Sequence, residues 1–436
     1  MTGTAVALGA VLVYAVVAGR LDRWSITAPL VLVVVGAVLG DSAFGVLHVT
    51  ADAESVKVVA ELTLALLLFA DASTIRLRDA EEDLSLPGRL LGIGLPLTIA
   101  LGAVTAHLLF AVSWAKAALI GSLLAPTDAA LGLAVVTNQA VPARIRRALT
   151  IESGLNDGIA TPFVVFFLAV AAAEADHQRW VVTSIKELGL AVLFGVALGW
   201  LVGTMASRAR RAGWTTPLSE SLVVLVTALI AYEGAVAIGA NGFVSAFVAG
   251  SVFGTAARQE LAPATELTEE VGLFASFAVW VIFGAVFVGP TLQAGFQARP
   301  VLYAVLSLTV VRMGPVALSL VRTGLRSDTV AFIGWFGPRG LASVVFTLLV
   351  YEELHGSADA TALGRIATWT ILLSVVAHGL SSGPLAGRYA GRLARAPAGL
   401  PEMEDAPEHR TRRRTLHDRP PASPTRHTDG TTTPEG

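Results

Sequence analysis

The stretch Glu152-Ser153-Gly154-Leu155-Asn156-Asp157 sets two carboxylates and an amide at the head of an apolar run that continues to Ala173. Ionisable groups are expensive in a helix of membrane length, and where they occur they mark ion or proton pathways. The rest of the chain shares the apolar character of that run. Of its 436 residues, 54% are hydrophobic and 15% charged, where a soluble domain carries about 25% charged residues. Apolar runs of about 20 residues recur between short polar connections, the signature of a polytopic helical membrane protein. The chain therefore reads as one all-α membrane bundle rather than two or three soluble domains.

Thirteen transmembrane helices are expected, near residues 4–19, 26–40, 56–71, 90–112, 115–137, 148–173, 185–206, 218–233, 236–254, 271–289, 301–322, 329–350 and 363–386. The first run lacks basic residues ahead of it and a small-residue cleavage site, so it reads as a retained helix rather than a signal peptide. Arginine gathers on one set of alternate connections, Arg144, Arg146, Arg147, Arg208, Arg210 and Arg211 among them. Cytoplasmic loops hold such an excess, which puts the N-terminus outside and the C-terminus in the cytoplasm. Abundant arginine and alanine with little lysine point to a GC-rich bacterial genome, hence to the inner membrane. Residues 1–390 are expected to form the membrane domain. Residues 391–436, with Arg410, Arg412, Arg413 and Arg414 amid proline, threonine and acids, read as a disordered cytoplasmic tail. Two polar connections, Arg76 to Arg89 and Thr255 to Glu270, have the composition of short interfacial helices. A formal charge of −2 with scattered basic residues excludes a nucleic-acid partner, and the absence of cysteine excludes disulfides, zinc thiolates and iron–sulfur clusters. No cofactor is expected.

Two spans are interrupted. Asp128 follows Pro126 and Thr127 near the middle of the fifth span, where proline removes a backbone donor and clashes with the preceding turn. A broken helix exposes carbonyls from one half and amides from the other, a common way to build an ion site at the midplane. Asp128 is also placed to cap the second half of its own span. In the next span, helical periodicity puts Ser153 and Asp157 on one face and Glu152 with Asn156 on another. Asp157 is thus free to line a cavity beside a serine oxygen, while Glu152 turns to a different neighbour. The second break is expected at Pro338 in Gly334-Trp-Phe-Gly-Pro-Arg-Gly-Leu-Ala342. Arg339 there is permanently charged and needs an acid, with Glu152 the expected partner. Arg312, in Val-Val-Arg-Met-Gly-Pro, is a third embedded charge with no partner assigned.

Breaks in the fifth and twelfth spans occupy equivalent places if spans 1–6 repeat, inverted, as spans 8–13. Their crossing would set an ion site near the bilayer midplane. Asp71 closes the third span, where it either guards the cation's path or caps the helix; Glu61 lies near the other end of that span and is expected to reach water. A passive channel would also use acids, as a selectivity ring, but has little need of two broken helices in opposite halves. A hydrolase built on Ser153 would need a histidine base, and His107 and His378 lie in other spans and read as ordinary buried or interfacial residues.

Leu66-Leu-Leu-Phe-Ala-Asp71, Ala125-Pro-Thr-Asp-Ala129, Glu152-Ser-Gly-Leu-Asn-Asp-Gly158, Gly242-Phe-Val-Ser-Ala-Phe-Val-Ala-Gly250 and Gly337-Pro-Arg-Gly340 together resemble the signature segments of the sodium/proton antiporters of the monovalent cation:proton antiporter-1 type, NhaP-like branch. The resemblance covers residues 5–390. It implies thirteen spans, crossed discontinuous helices, a six-helix core domain beside a dimer domain, and a homodimer. It places the ion-binding aspartate at Asp157, its neighbouring asparagine at Asn156, the unwound Thr-Asp pair at Thr127 and Asp128, the serine at Ser153, the third-span acid at Asp71, and a structural ion pair at Glu152 and Arg339. Ala129 and Ala72 depart from the family pattern, which often has proline and glycine there.

The expected chemistry is competition between a proton and a monovalent cation for Asp157. A hard cation such as sodium prefers oxygen ligands, here Asp157, Thr127 and Ser153, with Asp71 a further candidate. Because the amide of Asn156 adds no titratable group, one cation would exchange for one proton without net charge movement. Residue spacing leaves sodium, potassium and lithium unseparated.

Overall fold

The computed structural model describes residues 2–24, 26–51, 53–74, 85–128, 131, 133–172, 177–257, 260–396 and 399–403. Lipid offers no partner to a bare peptide group, so apolar runs fold into helices that satisfy their own backbone. The described elements are α1 (Thr2–Arg23), α2 (Ala28–Leu39), α3 (Glu54–Thr74), α4 (Ser85–Phe110), α5 (Trp114–Leu123), α6 (Leu133–Val136), α7 (Ala143–Ala172), α8 (His177–Arg211), α9 (Pro217–Ala237), α10 (Gly242–Ala256), α11 (Ala262–Gln293), α12 (Ala298–Ser319), α13 (Ser327–Trp335), α14 (Leu341–Glu353) and α15 (Ala358–Leu393). Each expected apolar run falls on one of these helices or on an interrupted pair. Among the described residues seven helices, α4, α7, α8, α9, α11, α12 and α15, are long and apolar enough to cross a membrane by length and composition.

Polar residues set the helix starts. The side chains of Ser113, Asn241 and Ser357 accept from backbone amides in the first turns of α5, α10 and α15, and Thr216 with Ser219 forms a reciprocal capping box on α9. Within the helices, hydroxyls such as Thr98, Thr161 and Thr368 donate to the carbonyl four residues back, so they are not left bare in an apolar setting. Where hydrocarbon surrounds the helices, small residues bring backbones together. On α10, Gly250 and Gly254 lie against the carbonyls of Phe69 and Ser73 on α3, and a Cβ at either would fall 2.4 or 2.2 Å from those oxygens.

The interrupted spans hold the centre. α5 stops at Leu123 and the chain runs non-helically through Pro126 before α6. α13 ends at Trp335, whose carbonyl accepts from Gly337 N–H at 2.8 Å while Phe336 takes φ −81° and ψ 61°. That is an inverse γ-turn, which ends a helix abruptly. A second apolar cluster, with Leu90, Ile145, Leu149, Val316, Ile333 and Tyr389, packs the starts of α4 and α7 and the end of α12 against the ends of α13 and α15.

Two expectations on the periphery change. The boundary at residue 390 falls inside α15, and a 3-10 turn at Pro401–Met403 folds back on the bundle, with Glu402 fully buried. Residues 391–393 of the expected tail thus continue α15, and the Glu402 carboxylate and Pro401 carbonyl find donors on the bundle; residues 397, 398 and 404–436 lie outside the described residues. Most of the first polar connection, residues 75–84, also lies outside them. In the second, a 3-10 turn at Ala262–Ala264 forms the start of α11.

Candidate functional site

The two breaks meet. Asp128 N–H donates to the Pro338 carbonyl at 2.8 Å, and the Asp128 carboxylate accepts from Leu341 N–H at 3.4 Å. Asp128 thus caps the N-terminus of α14 across the crossing. In the opposite direction, Arg339 Nη1 donates to the carbonyls of Ala125 at 2.8 Å and Pro126 at 3.5 Å. Helix ends carry partial charge, positive at the N-terminus and negative at the C-terminus. The crossing therefore places an acid at the positive end of α14 and a guanidinium at the carbonyls that follow α5. Ser343 Oγ adds a bond to the Leu123 carbonyl at 2.8 Å. Gly340 makes the approach possible, since a Cβ there would lie 2.0 Å from that of Asp128.

α7 lies beside this crossing. Thr127, 1% exposed, accepts from Asn156 Nδ2 at 2.5 Å and stands 3.5 Å from Ser153 Oγ. Thr127, Ser153 and Asn156 are thus one hydroxyl–amide cluster, with partly buried Asp157 following directly on the helix. The Asn156 carbonyl oxygen is buried with no donor among the described residues. The result is a set of oxygen atoms next to one carboxylate where α7 meets the non-helical segment that holds Thr127, a composition suited to a hard cation. Asp71 stands in the last turn of α3, which packs along α7 and α10.

The expected Glu152–Arg339 ion pair does not form. Glu152 Oε1 instead lies 2.6 Å from Arg312 Nη1 of α12. Arg339 directs its guanidinium to the carbonyls of the first break and, through Nη2, to Ser307 of α12 at 3.3 Å. The physical reason is that a helix break supplies bare carbonyls, which satisfy a cation at that point without an acid, leaving the acid for the arginine held on intact helix. Arg312 stands out in the sequence as an embedded charge, but no spacing ties it to α7. The Ser307 carbonyl and the Ser343 hydroxyl carry no signal in the sequence, since a backbone carbonyl is common to every residue and a single serine on an apolar helix makes little pattern.

Comparison with known proteins agrees with this architecture. The chain is similar to the K(+)/H(+) antiporter NhaP2 of Shewanella sp. (strain ANA-3), 24% identical over 365 residues that cover 83% of this chain and 62% of the relative. It is similar to the K(+)/H(+) antiporter NhaP of Alkalimonas amylolytica, 22% identical, covering 88% of this chain and 66% of that protein. This chain thus spans somewhat under two thirds of the length of these relatives. The structure of the sodium proton antiporter MjNhaP1 from Methanocaldococcus jannaschii at pH 8 shares the fold, with a TM-score of 0.68 at 19% identity, covering 89% of this chain and 100% of that one. Residues 7–387 match the family described as sodium/hydrogen exchanger, transmembrane, and the chain belongs to that family.

Proposed function

We propose that the protein is a secondary active transporter that exchanges a monovalent cation, sodium in the first instance, for protons by competition at Asp157. The observation that carries this reading is the Thr127–Ser153–Asn156 cluster, held beside Asp157 where the two helix breaks meet. In this mechanism a proton occupies the Asp157 carboxylate when no cation is present. An arriving cation replaces it and takes oxygen ligands from Asp157, Thr127, Ser153 and Asp71. Asp128 and Asn156 hold the surrounding backbone and hydroxyls, and Glu152 with Arg312 anchors α7 to α12. An empty, charged Asp157 is the costly state to move across lipid, which enforces exchange. With Asn156 contributing no charge, one cation moves against one proton and the cycle is electroneutral.

The reading extends to thirteen membrane crossings with inverted repeats, a homodimer, an outside N-terminus and an inner-membrane location. Potassium is the second candidate cation, favoured by the names of the NhaP2 relatives. The test is internal pH in proteoliposomes carrying an imposed proton gradient, with sodium, potassium or lithium added in turn. Cation-triggered proton movement that Asp157→Asn lacks supports exchange and names the ion. Equal movement by the variant removes Asp157 from the mechanism, and voltage-driven flux without proton coupling indicates a channel.

A further inference from the structure

His378 and Ser374 lie one turn apart on the same face of α15, both buried, at 1% and 0% exposure. That face is turned toward the break between α13 and α14. Arg339 N–H donates to Ser374 Oγ at 2.7 Å. The Ser374 hydroxyl stands 3.2 Å from His378 Nδ1. On the other side of the ring, Nε2 lies 2.9 Å from the Trp335 carbonyl, which has only lone pairs to offer, so a proton on Nε2 makes this contact a hydrogen bond. The ring and the Trp335 indole also pack together, with centroids 4.8 Å apart, and the indole Nε1 donates to Ser381 of the same helix.

We infer that Ser374 and His378 form a hydrogen-bond relay, Arg339 N–H to Ser374 Oγ–H to His378 Nδ1 and Nε2–H to the Trp335 carbonyl, which holds the helix break open and positions it for exchange. The relay supplies an acceptor for an amide that has left the helix at Arg339, a group that a broken helix leaves unsatisfied in an apolar interior. It adds a second donor, beside Gly337 N–H, to the last carbonyl of α13. It fixes the backbone of the residue whose guanidinium holds the Ala125 and Pro126 carbonyls, next to the Pro338 carbonyl that accepts from Asp128. Ser374 and His378 are therefore positioning residues, acting on Thr127 and Asp128 through the second break from the far side of the crossing. A doubly protonated ring would instead donate from Nδ1 to the Ser374 carbonyl, 2.9 Å away, and interrupt the relay at the serine. Among the described residues the ring's hydrogen-bond partners are the Ser374 hydroxyl and carbonyl and the Trp335 carbonyl, none of them anionic. The neutral ring is the form that fits. The positioning role rests on the exchange reading above, whereas the relay itself does not.

Two measurements test it. In proteoliposomes, Ser374→Ala and His378→Leu should raise the half-saturating cation concentration by about fivefold, the factor one lost hydrogen bond carries. Ser374→Thr keeps the hydroxyl and should transport like wild type, while His378→Gln keeps a donor for the Trp335 carbonyl but loses the Nδ1 acceptor, so its affinity should fall between wild type and His378→Leu. Unchanged cation affinity in all four variants, with only a lower melting temperature in Ser374→Ala and His378→Leu, overturns the positioning role. Independently, nitrogen NMR of the histidine-labelled full chain, with His378 assigned by its loss in His378→Gln, should show a neutral ring protonated at Nε2. A ring protonated at Nδ1, or at both nitrogens, overturns the relay. If wild type moves no protons with any cation, the exchange reading fails and the NMR result still decides the relay.

Discussion

Arg312 Nη1 lies 2.6 Å from Glu152 Oε1, with both side chains almost wholly shielded, at 2% and 3% exposure. A buried ion pair offsets its own desolvation only while both charges remain, and removing one partner costs about 3–5 kcal/mol by leaving the other uncompensated. Arg312→Met should therefore destabilise the protein by that order, and adding Glu152→Leu should recover much of the loss. Thermal unfolding in detergent of the two single variants and the double variant measures the coupling; simple additivity would contradict the pairing. Arg339→Met should also destabilise, but Glu152→Leu should not relieve it, because Arg339 is held by carbonyls rather than by the acid.

Thr127 joins the first break to α7 by accepting from Asn156 Nδ2. Thr127→Val keeps the shape and removes the acceptor, leaving a buried amide donor unmatched at a cost of about 1–3 kcal/mol. Cation affinity should fall together with stability, since the lost oxygen is also a proposed ligand. Thr127→Ser should restore both. Proteoliposome titration alongside a melting curve checks this, and a Thr127→Val variant with wild-type cation affinity would exclude Thr127 as a ligand.

Much of this arrangement was legible in the sequence, and the parts that were not share a cause. Pro126 and Pro338 announce their breaks because proline cannot continue a helix without losing a bond, and Asp157 stands out because a carboxylate in an apolar run has few purposes. What cannot be read along the chain is which charge meets which. Arg312 and Arg339 are both buried arginines, and only the fold shows that one faces an acid and the other the bare carbonyls of a break. Asp128 likewise reads as a cap for its own span, and nothing along the chain shows that its carboxylate reaches Leu341 of the other. Ser374 and His378 had the spacing of neighbours on a helix, yet their targets, Trp335 and Arg339, are brought to them only by tertiary packing.

Gly340 is the point at which the breaks touch. An added Cβ would fall 2.0 Å from Asp128 Cβ, on a backbone that is hydrogen-bonded on both sides of the crossing. Gly340→Ala should therefore push the breaks apart and destabilise by about 1–3 kcal/mol, the usual range for overpacking. Transport should fall further than stability does, because the displacement reaches Thr127 through the adjacent Asp128. A melting curve with a transport assay on equal amounts of folded protein separates the two effects, and an alanine variant with full activity would show that the crossing has room to give.

At the start of α13 a polar cluster fastens the folded-back turn to the bundle. Glu402 Oε1 accepts from Arg326 N–H and Thr329 Oγ1–H, each at 2.8 Å, and Arg144 Nη1 donates to the Pro401 carbonyl. The Arg326 side chain turns to Asp328, with Nε 3.0 Å from Oδ1. That hydrogen bond, more than any other influence, holds the Asp328 carboxyl below its ordinary value of 3.8. A depressed folded value means that the charged acid stabilises the fold fully above 3.8 and loses this contribution as pH falls through the lower folded value. Asp328→Asn should thus melt below wild type at neutral pH, and the two curves should converge in acid as the wild-type carboxylate takes up its proton. Both partners are partly exposed, so the gap should be small and should shrink with added salt. A gap that persists unchanged at the acid end would assign the loss to packing of the side chain rather than to its charge.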